Sequence, residues 1–90
     1  MQESESRKLH SLSQEEKRRI RVRLSELMIA RREVLFSYIH GPFINEDVFQ
    51  EIQVAVRTDV SNDPLQIESY LSNELTEAVG IPVEVRARSS

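Results

Sequence analysis

The sequence predicts a small α/β domain of the α+β kind, with a mixed three-stranded sheet packed by helices in the order α-β-β-α-β. Three observations predict it. Apolar residues recur at helical spacing in two stretches, 13–31 and 64–80, each opened by a capping pattern. Three other stretches, 34–39, 51–57 and 83–88, are continuously apolar or alternate with period two. The first two of these are joined by a short link, which suits an antiparallel pair, whereas the last two are separated by a helix, which suits a parallel pair with a right-handed crossover.

Ninety residues make one small domain with a modest core, so a partner or a second copy would add stability. Cysteine is absent, which excludes disulfides, thiolate metal sites and thiol nucleophiles and suits a reducing cytoplasm. No apolar run is long enough to cross a bilayer, so no membrane role is expected. The polar opening residues do not read as a signal peptide. Charge is uneven. Of the twelve Lys and Arg residues nine precede Glu33, while the acidic remainder carries only Arg57, Arg86 and Arg88.

Residues 1–12 are charged and Ser-rich without period and read as a flexible tail, so the domain is assigned to 13–88. Ser13 with Glu16 forms a capping box that opens the first helix, and Ile20, Leu24, Leu27 and Met28 make its apolar stripe. Glu15 and Arg19, four apart, add weak support. Val22 and Ile29 fall off the stripe and are either incidental or a second contact face. Residues 34–39 are β-branched, aromatic and nearly all apolar, the pattern of a strand covered on both faces. Gly41-Pro42 ends it, and 43–50 form a loop or a single helical turn. Ile52, Val54 and Val56 alternate with Gln53, Ala55 and Arg57 in the second strand. Asp63 as N-cap, Pro64 at the first helical position and Gly80 after the end bound the second helix. Its buried face is expected to comprise Leu65, Leu71, Leu75, Ala78 and Val79. Val83, Val85 and Ala87 mark the third strand. This order brings Gly41, Glu51, Gln53 and Glu84 to one sheet edge.

The segments VLFSYIHGP, EIQVAV and GIPVEVRA, in this order and spacing over residues 13–88, resemble the minimal nucleotidyltransferases of the DNA polymerase β-like nucleotidyltransferase superfamily. The resemblance implies a nucleotidyltransferase-like fold. In active members a Gly-Ser turn holds nucleotide phosphates, and three carboxylates, two of them in an Asp-x-Asp on the next strand, hold two divalent metals. Magnesium demands hard anionic oxygens, and a metal pair stabilises attacking and leaving oxygens together. At the matching positions this chain has Gly41 and Pro42 for the nucleotide-binding Gly-Ser, and Glu51, Gln53 and Glu84 for the catalytic carboxylates. Pro42 lacks both the hydroxyl and a backbone N–H. Gln53 is neutral where a carboxylate bridges metals, leaving Glu51 and Glu84 as metal ligands if any. The resemblance therefore implies a catalytically degenerate domain that acts as a protein-interaction module, an antitoxin-like partner of a HEPN-type helical protein or a self-associating homodimer.

The alternative is an active enzyme that transfers a nucleoside monophosphate from an NTP to a hydroxyl acceptor with Mg2+. Only that alternative needs Mg2+ and NTP as cofactors. A rearranged set of Asp47, Glu51 and Glu84 is a further option. His40, beside Gly41, is either structural or a general base or phosphate contact, and His10 in the tail carries nothing. Phe43 and Phe49 either plug the old pocket or meet a partner. The basic run Lys17, Arg18, Arg19, Arg21 and Arg23 is spread around its helix and lacks stacking aromatics, so nucleic acid is not expected as a partner of this chain.

Overall fold

The computed structural model describes residues 8–89. Elements follow in the order β1 (His10–Ser11), α1 (Gln14–Ile29), β2 (Val34–His40), α2 (Pro42–Asn45), β3 (Val48–Phe49), β4 (Ile52–Thr58), α3 (Pro64–Val79) and β5 (Val83–Ser89). The main sheet has the order β2-β4-β5, with β2 antiparallel and β5 parallel to the central β4. The α-β-β-α-β order is thus present as a mixed sheet, with the very short β1, α2 and β3 added. Residues 1–7 of the expected tail lie outside the described residues. His10–Ser11 pairs antiparallel with Val48–Phe49, so the tail's last residues belong to a two-stranded sheet.

Local chemistry sets the helix ends. Ser13 Oγ accepts the Glu16 N–H at 3.1 Å, and the Glu16 carboxylate accepts the Ser13 N–H at 2.9 Å. Asp63 Oδ1 accepts the Leu65 N–H at 3.1 Å, and Gly80 takes the left-handed conformation, φ +77°, that ends α3.

One face of the sheet is buried and the other is open. Ile52, Val54, Val56 and Thr58 of β4 and Val83, Val85 and Ala87 of β5 point into the core, where Leu24 and Met28 of α1 and Ile67, Leu71 and Leu75 of α3 meet them. The α3 stripe differs from the expected one. Leu65 and Ala78 are exposed, and Ile67 takes the inward position. Ile67, Leu71 and Leu75 are four apart and share one helix face, which Leu65 does not.

The nearly all-apolar run 34–39 also departs from its expected burial. It is not covered on both faces: β2 is an edge strand, and Leu35, Phe36 and Tyr38 are exposed. Pairing shifts by one residue between Val34 and Phe36, so a bulge at Leu35 lets Val34 pack against the core and leaves Leu35 outside.

Candidate functional site

The expected site residues lie along the junction of β2, α2, β4 and β5. His40 is the register partner of Gln53, and Gln53 is the register partner of Glu84. Gly41 follows β2 with φ +88° and ψ −165°, a combination essentially closed to side-chain-bearing residues, and it caps the single turn α2. Pro42 occupies the first position of that turn, where its missing N–H costs nothing to the helix. The turn closes through Ile44 N–H to the Gly41 carbonyl at 2.9 Å and Glu46 N–H to the Pro42 carbonyl at 2.8 Å.

The Gln53 carboxamide lies over Gly41. A Cβ added at Gly41 would stand 3.0 Å from Gln53 Oε1 and 3.1 Å from its Cδ. A neutral amide therefore occupies the space immediately above the glycine. Beside it is an open cavity of about 360 Å³, lined among others by Pro42, Glu46, Glu51 and Gln53. Glu84 does not line that cavity. It borders a separate depression with Glu68 and Ser72, and its carboxylate lies 3.1 Å from Arg86. The structure brings Pro42, Glu51 and Gln53 to one cavity, with Gly41 beneath the Gln53 carboxamide, and directs Glu84 elsewhere.

The residues do not fit a pair of divalent metals. Gln53 supplies a neutral oxygen at the central position, and Glu84 is directed to a guanidinium. Among the described residues no group of three His, Cys, Asp or Glu side chains is placed to hold a metal ion, which also leaves the set of Asp47, Glu51 and Glu84 unassembled.

Phe43 and Phe49 are fully buried, with ring centroids 5.1 Å apart in an edge-to-face pair. They plug the floor beneath α2 and β3 and offer no surface to a partner. His10, expected to carry nothing, stacks against Phe49 at 5.6 Å. Lys17 was legible only as one cation of a basic run. It is 5 % exposed, donates from Nζ to the Glu46 carbonyl at 2.7 Å, and lies 5.7 and 5.6 Å from the ring centroids of Phe43 and Phe49. This lysine ties α1 to the loop that shapes the cavity.

The other α1 cations are largely engaged on the helix itself. Arg18 and Arg19 pair with Glu15, the latter at only 3.9 Å, and Arg23 pairs with Glu26. That is a solvated face with weak pairs. Val22 and Ile29, two turns apart on that outer side, are exposed, Ile29 to 82 %.

Comparison with protein-family models, with curated proteins and with solved structures finds no match. Among the described residues no helix is long and apolar enough to cross a membrane.

Proposed function

We propose that this chain is a degenerate nucleotidyltransferase-like domain that works by binding a protein rather than by transferring a nucleotide. The observation that carries the reading is the Gln53 carboxamide packed over Gly41. At the positions that match the phosphate-holding turn and the metal-bridging carboxylate, a neutral side chain closes on the glycine, and proline replaces the hydroxyl donor. Two defects at the same few atoms are severe, because a displacement of about 1 Å in a catalytic array costs on the order of 100-fold in rate.

The partner class is a helical protein of the HEPN type, or a second copy of this chain. The surface offered is the outer side of α1, where Val22 and Ile29 stand exposed at a seven-residue spacing, the anchor pattern of a helix-to-helix contact. The second reading, an active transferase using Mg2+ and an NTP, is favoured by the cavity that Glu51 shares with Pro42 and Gln53, which falls within the ordinary size of ligand pockets, roughly 300–1,000 Å³.

Calorimetric titration with ATP and GTP, each with magnesium and with manganese, separates the two. The native chain is expected to give no metal-dependent heat, and the double variant Pro42→Ser/Gln53→Asp is expected to gain it. Metal-dependent binding by the native chain that disappears in Glu51→Ala would overturn the degenerate reading and put the transferase reading first.

A further inference from the structure

The open face of the main sheet carries a pattern that neither the cavity at Gly41 nor the outer side of α1 uses. β2 presents Phe36 and Tyr38 on this face, 55 % and 58 % exposed. Across the sheet β4 presents Arg57, and β5 presents Arg86 and Arg88. All three cations that follow Glu33 in the chain therefore gather on one face of an otherwise acidic segment. Together with the two aromatics they line a depression of about 280 Å³.

Two features set this face apart from a solvated sheet surface. Arg57 and Arg88 are direct register partners on parallel neighbours. Strands lie about 4.8 Å apart, and like charges placed directly opposite destabilise a sheet. Among the described residues neither arginine forms an ion pair; Arg57 instead lies 5.9 Å from the centroid of its own register partner, Phe36. Only Arg86 has a carboxylate, that of Glu84. A like-charge pairing offset within the chain only by one ring contact is the mark of a functional surface. Secondly, the aromatics stand two residues apart on one strand, hence about 7 Å apart. That is about twice the 3.4 Å spacing per strand in a duplex. Rings at that interval suit splayed, unstacked bases.

We propose that the open sheet face binds single-stranded nucleic acid, with Phe36 and Tyr38 stacking on bases and Arg57, Arg86 and Arg88 holding phosphates. Alternating π-faces and cations is the general chemistry of sequence-tolerant single-strand binding. A second copy of this chain is a poor occupant, because a two-fold contact through this face sets arginines against arginines. The inference stands independently of the α1 surface and of the state of the Gly41 cavity. It also moves any nucleic-acid contact away from the basic run of α1, whose arginines at 18, 19 and 23 are paired on their own helix.

The test is fluorescence anisotropy of a labelled oligouridylate of about 12 nucleotides, a site size typical of single-strand binders, with the full chain, repeated over a salt series. Saturable binding is expected, with log K falling against log salt at a slope of about −2 for three phosphate contacts on a single strand. Phe36→Leu and Tyr38→Leu are each expected to weaken binding about tenfold. Arg57→Gln/Arg88→Gln is expected to flatten the slope to about −0.7. A matching duplex is expected to bind more weakly than the single strand. Amide chemical-shift changes in the native chain on adding the oligouridylate are expected along β2, β4 and β5, a readout that does not depend on any variant folding. The proposal is overturned by absence of saturable binding at low salt. It is equally overturned by binding lost in Arg18→Gln/Arg21→Gln but kept in the sheet variants, or by polyphosphate competing as well as the oligonucleotide with no effect of the aromatic variants.

Discussion

Ser72 Oγ accepts the backbone N–H of Val85 at 3.0 Å, and the same device is repeated on either side of it. Thr76 Oγ1 accepts the N–H of Val83 at 2.8 Å, and the Glu68 carboxylate accepts the N–H of Ala87 at 2.8 Å. Acceptors four apart on α3 thus meet donors two apart on β5. The helix rises 1.5 Å per residue and the strand about 3.3 Å, so the two repeats run nearly in step, at about 6 and about 6.6 Å. α3 in this way satisfies the outer edge of β5 with its own side chains, which protects an edge otherwise open to pairing with another chain.

Removing one of these acceptors leaves a partly buried N–H unsatisfied. Glu68→Ala is expected to destabilise the fold by about 1–3 kcal/mol, and Ser72→Ala by about 1 kcal/mol. Urea unfolding measures both. The Glu68→Ala/Ser72→Ala double variant is also expected to associate as concentration rises, which sedimentation detects, because the bared strand edge then pairs between molecules. A double variant that stays monomeric with unchanged unfolding would show that the α3 side chains do not guard β5.

Lys17 is the second point where a side chain organises a backbone. Its ammonium lies over the rings of both Phe43 and Phe49 and donates to the Glu46 carbonyl. A buried lysine is tolerated only when its charge is met, and here a carbonyl and two ring faces meet it. Lys17→Met keeps most of the stem and removes the charge. It is expected to cost about 1.5–3 kcal/mol, the range for a hydrogen bond from a charged donor. At about 4–8 °C per kcal/mol for a domain of this size, the loss is visible in thermal unfolding. Amide exchange in β1 and β3 is expected to quicken in the same variant. Arg18→Met, on the exposed neighbour, is expected to stay within about 0.5 kcal/mol of the native chain.

Gly41 is fixed both by its backbone and by what lies over it. Its φ of +88° with extended ψ costs a side-chain-bearing residue on the order of 1–3 kcal/mol, and a Cβ there would also meet Gln53 Oε1 at 3.0 Å. Gly41→Ala is expected to destabilise by about that amount in urea unfolding. Gln53→Ala in the Gly41→Ala background is expected to restore only the contact part, leaving the backbone part. Full recovery would mean that the glycine is demanded by Gln53 alone.

Much of this architecture is legible in the residues. Ser13 and Glu16, Asp63 and Pro64, and Gly80 each announce a helix end through their own chemistry, and alternation along β4 and β5 announces which side is buried. The adjacency of β2 with β4 follows from a short link and that of β4 with β5 from a helical crossover, while the registers that pair His40 with Gln53 and Gln53 with Glu84 come from the structure. Other features depend on partners distant in sequence. Lys17 stands in a run of cations, and its burial is decided by Phe43 and Phe49 arriving from another segment. Two-residue strands such as β1 and β3 are too short to show a period. The apolar run of β2 reads as buried on both sides because periodicity cannot distinguish a covered face from an apolar face left open, and Phe36 and Tyr38 belong to the latter. Glu84 reads as converging with Glu51 because the strand order demands it, but its carboxylate turns to Arg86 two residues along its own strand.

The capping box of α1 gives the fold an acid-sensitive element. The Ser13 N–H bonded to the Glu16 carboxylate holds its pKa below the ordinary value of 4.5, assisted by the Ser13 hydroxyl and, more weakly, by the charge of Arg19, while slight desolvation opposes them. A carboxylate whose pKa is lower in the folded chain than in the unfolded one releases its proton more readily on folding. Its contribution is therefore complete above the unfolded value and is lost as pH falls through the folded one. Glu16→Gln keeps a side-chain acceptor for the Ser13 N–H and removes the titration. Unfolding followed from about pH 6 to about pH 3 is expected to show a smaller acid-side loss in Glu16→Gln than in the native chain. Ser13→Ala is expected to lower stability across that range by about 1 kcal/mol, as for other N-cap serines, and to bring the Glu16 pKa back toward its ordinary value in a carboxyl-carbon NMR titration. An unchanged Glu16 titration in Ser13→Ala would show that the Ser13 backbone N–H, which the variant keeps, holds the pKa down without the hydroxyl.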